Sequence, residues 1–475
     1  MPLLALADVD LPTIGQPSDT ALSPAEEAEI GADIVSQLRS FNFFLEDPEL
    51  SHYLRSVGNR LATYSGHDPS EFNFYVVRDR QINAFALPGG YIGVNAGLIL
   101  ASETEDELAG VVAHEIAHVT QRHIARQVEA SSRFNLTTAA ALLVAILAGA
   151  SNPDVLQAAL TVGLSTSAQQ SINFTRAHEM EADRVGIKTL ADSGYNPKGM
   201  AAFFQKMEER SRLYGSGLPE ILRSHPVSNT RISEALDRIA LYKNTPKADL
   251  EQDRIYRIMR ARLRVMTATD AGAALDYFGA ISPDAGESSK EVRKYGLSLA
   301  LYRAGKFDES VEILTELTEQ EPEVVYYTIA LADTLLAAGR APAALGIYKR
   351  SLNKFPNFSP LNLSYAEALI QAGQPAKARA QILGSDLLKR KEPEANRLLA
   401  MAARDMDRDG EAHYQMAEYH RSLREYRQAL NQLEAGLRIA TLSNADKARL
   451  STALARLRKE VPEDFLKRYD RGERI

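Results

Sequence analysis

The stretch Glu105–Arg126, EDELAGVVAHEIAHVTQRHIAR, decides how this chain is read. Thr104 with Glu107, and Ser102 with Glu105, have capping-box spacing, and acidic residues crowd the first turn with basic ones in the last, as the helix dipole favours. Leu108, Val112, Ile116 and Val119 recur on one face, so the spacing predicts a buried helix. His114-Glu115-x-x-His118 sets two imidazoles one turn apart on that helix, able to meet a single ion, with zinc the usual occupant. Glu115 points beside the ion, where a carboxylate can take a proton from a water whose pKa zinc lowers to about 7.

A catalytic zinc usually has three protein ligands plus water, so a third is expected downstream. Glu179-Met-Glu-Ala-Asp183 lies in a second helical run that Gly194 and Pro197 bring to an end. Glu179 and Asp183 share a face, which suits Glu179 as the third ligand and Asp183 as acceptor of a hydrogen bond from a ligand imidazole. Glu181 points away, as a solvated or salt-bridged residue.

These residues resemble the gluzincins, the group that includes the CAAX prenyl endopeptidases. With the repeats described below, the chain is most similar to the periplasmic β-barrel assembly-enhancing proteases. The resemblance implies that His114, His118 and Glu179 bind zinc and that Glu115 is the base. Arg176, Glu179, Ala182 and Asp183 match the Arg-x-x-Glu-x-x-Ala-Asp pattern, and His225, Pro226 and Arg231 match a looser His-Pro segment with a later Arg. It further implies misassembled outer-membrane proteins as substrates, the outer-membrane assembly machinery as partner, a chaperone-like role and a periplasmic location.

The rest of the chain is consistent with several domains: 475 residues, 45% of them apolar. A net charge of −7 argues against nucleic acid or an anionic membrane surface as the main partner. The absence of cysteine excludes disulfides and thiolate ligands. Residues 1–22 read as a flexible N-terminus. Ala5-Leu6-Ala7 resembles a small-x-small cleavage site, so this segment is expected to be the remnant of a trimmed signal peptide. A helix follows from Ser23, whose spacing to Glu26 again fits a capping box.

Phe72–Val77 and Ala84–Val94 read as strands, with Pro88-Gly89-Gly90 as the turn of a hairpin. In the family such a sheet lines the cleft with its edge. Asn83, Ala84, Phe85, Ala86 and Leu87 are therefore the expected substrate edge strand, onto which an extended peptide adds by backbone hydrogen bonds; the alternative is a hairpin that only packs under the helix. Leu136–Ala150, LTTAAALLVAILAGA, carries no charge, but its 15 residues fall short of the roughly 20 needed to span a bilayer. It reads as a buried helix or an apolar flap, with peripheral membrane contact as the alternative.

His225 lies in RSHPVSNTR, outside any periodic run. Three roles are open to it: contact with substrate or oxyanion, a fourth zinc ligand that displaces water and holds the enzyme latent, or structural support beside Pro226. Arg231 is read as solvated, with a clamp on substrate or a carboxylate as the alternative. His52, His67, His123, His178, His413 and His420 show no partner pattern and read as structural or surface residues.

From about residue 255 the pattern changes. Gly305, Gly339 and Gly373 recur every 34 residues, as do Pro322 and Pro356, with Ala344 and Ala378 in phase, which is tetratricopeptide spacing. Tyr426 and Ala429 restart the pattern out of phase, implying an intervening helix near Pro393–Arg404. Such repeats commonly bind proteins, or they can fold back over a protease. The expected fold is mainly α: a gluzincin-like zinc metalloprotease domain with a small β-sheet over 23–250, followed by an all-α TPR solenoid over 255–475. The expected function is a zinc endopeptidase acting on misfolded or misassembled proteins. The competing reading is a repeat scaffold or chaperone whose protease domain is vestigial or latent.

Overall fold

The computed structural model describes residues 22–130, 175–214, 220–242, 250–280, 287–461 and 463–472. The readings of residues 1–21 and of the apolar segment 136–150 lie outside these. No described helix is long and apolar enough to cross a membrane.

Helix α1 (Pro24–Ser40) begins with the expected reciprocal box, Glu26 N–H donating to Ser23 Oγ and Ser23 N–H to the Glu26 carboxylate. Helix α2 (Pro48–Thr63) precedes strands β1 (Asn73–Val77), β2 (Ala84–Leu87) and β3 (Tyr91–Asn95), which form one sheet in the order β1-β3-β2. β1 runs parallel to β3, and β2 pairs antiparallel to it through the Pro88-Gly89-Gly90 turn. Asn95 N–H donates to Asn83 O, so in this register the ladder bonds fall on 83, 85 and 87. The backbone groups of Ala84 and Ala86 therefore face away from β3, along the outer edge of the sheet.

After a short helix α3 (Ala96–Ala101) comes α4 (Glu105–Thr120), the expected buried helix. Thr104 caps it, accepting from Glu107 N–H, but the two capping boxes do not form as expected. Glu107 turns its carboxylate to Glu103 N–H, and Ser102 Oγ donates to Leu98 O because that residue closes α3 rather than opening α4. Leu108, Val112 and Ile116 are fully buried and Val119 packs at the margin of the core. Helices α5 (His123–Ala130), α6 (Arg176–Asp192), α7 (Lys198–Tyr214), α8 (Ile221–Ser224) and α9 (Asn229–Ile239) follow. Both α6 and α7 cross α4 closely. A Cβ on Gly110 would stand 2.8 Å from the Met200 Cα, and one on Gly186 would stand 3.2 Å from the backbone of Ala113 and His114.

The core continues without a break into the repeats. Helix α10 (Leu250–Thr267) buries Tyr256, Ile258, Met259 and Leu263 in the same cluster as α2 and α4, and Tyr256 Oη donates to Ile99 O and Ser102 O. Arg262 on α10 reaches Asp47, the residue that caps α2, at 2.7 Å and Glu49 at 3.0 Å. From Ala271 onward the described chain is helical pairs. Gly305, Gly339 and Gly373 each adopt φ of 68–75° at the turn inside a pair. Ala344 and Ala378 are fully buried where paired helices meet. Ser310 holds the equivalent place, 34 residues before Ala344, and donates its hydroxyl to Ser298 O. The intervening helix is present as Pro393–Arg404.

The repeats also reach back to the start of the chain. Arg55 pairs with Glu392 at 2.8 Å and Arg39 with Glu425 at 3.4 Å. Between them lies a cavity of about 1480 Å³ bounded by α2, β1 and the repeat helices.

Two stability measurements follow. Arg262→Leu leaves Asp47 and Glu49 buried without their cation, and we expect a loss of about 3–5 kcal/mol in denaturant unfolding. Burial raises the Glu49 pKa despite Arg262. The stability it contributes is therefore full below the ordinary carboxylate range and is lost as pH rises through the raised value. Glu49→Gln should melt above wild type by a margin that widens between pH 5 and 8; a margin that narrows contradicts the assignment.

Candidate metal centre

Four side chains from three elements converge on one point. His114 and His118 come from α4, Glu179 from α6, and His225 from the turn between α8 and α9; all are buried, with ligating atoms within 4.8 Å of one another. His114 Nε2 lies 3.1 Å from His118 Nε2 and 3.3 Å from His225 Nδ1. Glu179 Oε1 lies 3.0 Å from His225 Nδ1 and 3.4 Å from His118 Nε2. Four ligands at about 2.0–2.1 Å from a tetrahedral zinc would stand about 3.3–3.4 Å apart, so this donor set fits a small divalent ion.

The electrostatics also suit a cation. Burial alone would lower the His114 pKa, but Asp183 and Glu179 outweigh it and push it up to about 10. Glu179 is held well below the ordinary carboxylate range, because His225, His114 and His118 together overcome the opposing effect of burial. His118 is pushed well down by burial and by the nearby His114 and His225, against the opposing pull of Glu179.

The groups behind the cluster are ordered. His114 Nδ1 is 3.0 Å from Asp183 Oδ1. Arg231 donates to both oxygens of Asp183, at 2.7 and 2.8 Å, and Nη1 lies 2.7 Å from Glu179 Oε2. The sequence reading of Arg231 as a solvated residue is thus corrected: the side chain is buried, and its planar fork is taken up by two carboxylates. Position 231 becomes the first turn of α9, where the Ser228 cap fixes its direction. The alternative expectation, a clamp on a carboxylate, is what the structure contains.

Glu115 is fully buried beside the cluster, and neither carboxylate oxygen has a hydrogen-bond partner among the described residues. His225 Nε2 stands 3.7 Å from Oε1. Such an acceptor pair needs a donor, and a hollow of about 20 Å³, bordered by His114, Glu115, His225 and Arg231, is large enough for one water. Its other walls are apolar, including Val111, Phe203, Phe204 and Met207.

Two histidines read from sequence as structural or surface residues are near the cluster. His123 is fully buried with Nδ1 2.9 Å from His118 Nδ1, and His178 stacks on it at 4.6 Å between ring centres. Glu181 is salt-bridged, as expected, to Arg126 at 2.8 Å. The proximity of His123 had no periodic signal. It lies five residues after His118, and it comes close because Arg122 takes a left-handed φ of 50° between α4 and α5.

Two stretches of the chain match known families. The profile of Peptidase family M48 matches residues 48–239, and a tetratricopeptide repeat profile matches 335–402. The putative beta-barrel assembly-enhancing protease of Vibrio cholerae is 33% identical over 449 residues, covering 92% of this chain and 91% of the relative. The beta-barrel assembly-enhancing protease of Escherichia coli K12 is 31% identical over 452 residues, covering 94% and 91%. The mitochondrial metalloendopeptidase OMA1 of Arabidopsis thaliana is 27% identical over 221 residues, 46% of this chain and 42% of that one. With the repeats and a buried donor cluster in one fold, this chain is a metalloprotease and belongs to the β-barrel assembly-enhancing protease family.

Proposed function

We propose that this metalloprotease is a zinc-dependent endopeptidase of the bacterial periplasm that degrades misfolded or misassembled outer-membrane proteins. The observation that carries the reading is the convergence of His114, His118 and Glu179 next to a buried Glu115 whose carboxylate has room for one water. His114, His118 and Glu179 would hold the zinc, which would supply Lewis acidity toward a scissile carbonyl and toward water. Glu115 is placed to take a proton from a water in the adjoining hollow as that water's oxygen adds to the scissile carbonyl carbon, and to return it to the amine as the C–N bond breaks. Asp183 and Arg231 orient His114 and Glu179, and no side chain forms a covalent bond to substrate.

The edge of β2 is the proposed substrate dock. Of its outward-facing residues Ala86 is partly exposed and Ala84 fully buried, so the Ala86 end is the part open to an extended chain; backbone pairing there suits unfolded clients and gives affinity with little sequence preference. The repeats take the role of protein-binding surface, with the outer-membrane assembly machinery as partner and a chaperone-like contribution. The substrate class and compartment are carried over from the relatives' name.

A second reading is supported by His225. As a fourth ligand it would close the coordination shell and hold the enzyme latent, and the hollow of about 20 Å³ beside Glu115 is too small for a peptide. Latency that is never relieved would make the chain a repeat scaffold.

Glu115→Gln should lower casein cleavage by about 10²–10⁴-fold with zinc content unchanged. Wild-type protein that never cleaves while still binding partners favours the scaffold. His225→Ala should raise cleavage and loosen zinc in chelator competition; unchanged activity and unchanged metal retention exclude the latent-ligand role.

A further inference from the structure

The two α4 histidines are supported by unequal structures. His114 Nδ1 meets a carboxylate directly at Asp183. His118 Nδ1 meets a second imidazole, His123, whose Nε2 is 3.2 Å from Glu181 Oε2; Arg126 holds that same oxygen at 2.8 Å. We propose that His123 is a positioning residue for the metal centre, fixing the His118 tautomer through a chain that ends on the Glu181–Arg126 ion pair. The proposal rests on the reading of His118 as a ligand.

The direction of the chain is set from its far end. Glu181, paired with Arg126, is ionised and can only accept, so His123 Nε2 carries the proton facing it. A neutral His123 then has a bare Nδ1. The His118 Nδ1 only 2.9 Å away must be the donor, because two lone pairs at that distance repel. His118 is left with a bare Nε2, and this atom faces His114 Nε2 at 3.1 Å and Glu179 Oε1 at 3.4 Å, inside the donor cluster. The opposite order would present an N–H to the ion and a lone pair to the Glu181 carboxylate. His123 is fully buried and His178 stacks on its face at an interplanar angle of 17°, so the ring is confined in this orientation. The left-handed Arg122 places it there, and the Arg122 guanidinium is anchored on Leu22 O at 2.6 Å. A preset tautomer means that a metal ion entering the site need not displace a proton from Nε2.

The test compares His123→Leu, which fills space without accepting or donating, with His123→Gln, whose amide can accept from His118 Nδ1–H and donate to Glu181. Zinc dissociation constants are read by competition with a chromophoric chelator, and the cobalt-substituted proteins are compared by visible absorption. His123→Leu should bind zinc about 10–100-fold more weakly with an altered cobalt band, and His123→Gln should recover most of both. Wild-type affinity in the Leu variant, or a Gln variant as weak as Leu, overturns the proposal. If His123→Leu does not fold, Glu181→Met carries the same test from the half-buried end of the chain, with weaker zinc binding supporting the proposal and parity overturning it. Wild-type protein that binds no zinc defeats the ligand reading itself, a result distinct from these.

Discussion

Burying His114, Glu115, His118 and Glu179 together is the constraint on which the rest of the molecule depends. Each is less than a twentieth exposed, and such groups are costly to desolvate unless every one is answered by an opposite charge, a hydrogen bond or an ion. The answers come from three directions. Arg231 arrives from α9 to hold Asp183 and Glu179, Arg126 from α5 to hold Glu181, and α2, α7 and the sheet exclude solvent from α4. Glycines at the crossings let α6 and α7 come close enough to do so.

What was legible in the sequence is what local periodicity encodes. The His114–His118 pair and the Glu179–Asp183 pair are each one helical turn apart, so their shared faces follow from the pitch of a helix. The repeat glycines announce themselves by their 34-residue spacing, because each must adopt the same backbone turn. What was not legible depends on approach across long sequence separations. Arg231 lies 48 residues from Asp183, and nothing near it in sequence signals a bidentate pair. His123 depends on one left-handed residue, which no side-chain pattern marks. Ser102 had the spacing of a cap but lies at the end of the preceding helix, where its hydroxyl finds Leu98 first.

The repeats are more than an appendage joined by a linker. Helix α10 shares its apolar side chains with α2 and α4, and Tyr256 satisfies carbonyls at the end of α3. Farther along, Glu392 and Glu425 return to Arg55 and Arg39. A large hollow lies between these layers, away from the donor cluster, and its lining includes charged residues of both signs, among them Arg55, Arg397, Glu392 and Glu418. The repeats and the donor cluster of α4 occupy separate spaces that are joined through a shared core.

The small hollow beside Glu115 sets a rule of admission. It has space for a single water molecule, and its apolar walls Phe203, Phe204 and Met207 are themselves buried. On the proposed reading a substrate reaches Glu115 only after those side chains yield, so the time a chain stays bound would matter more than the identity of any residue at the cut.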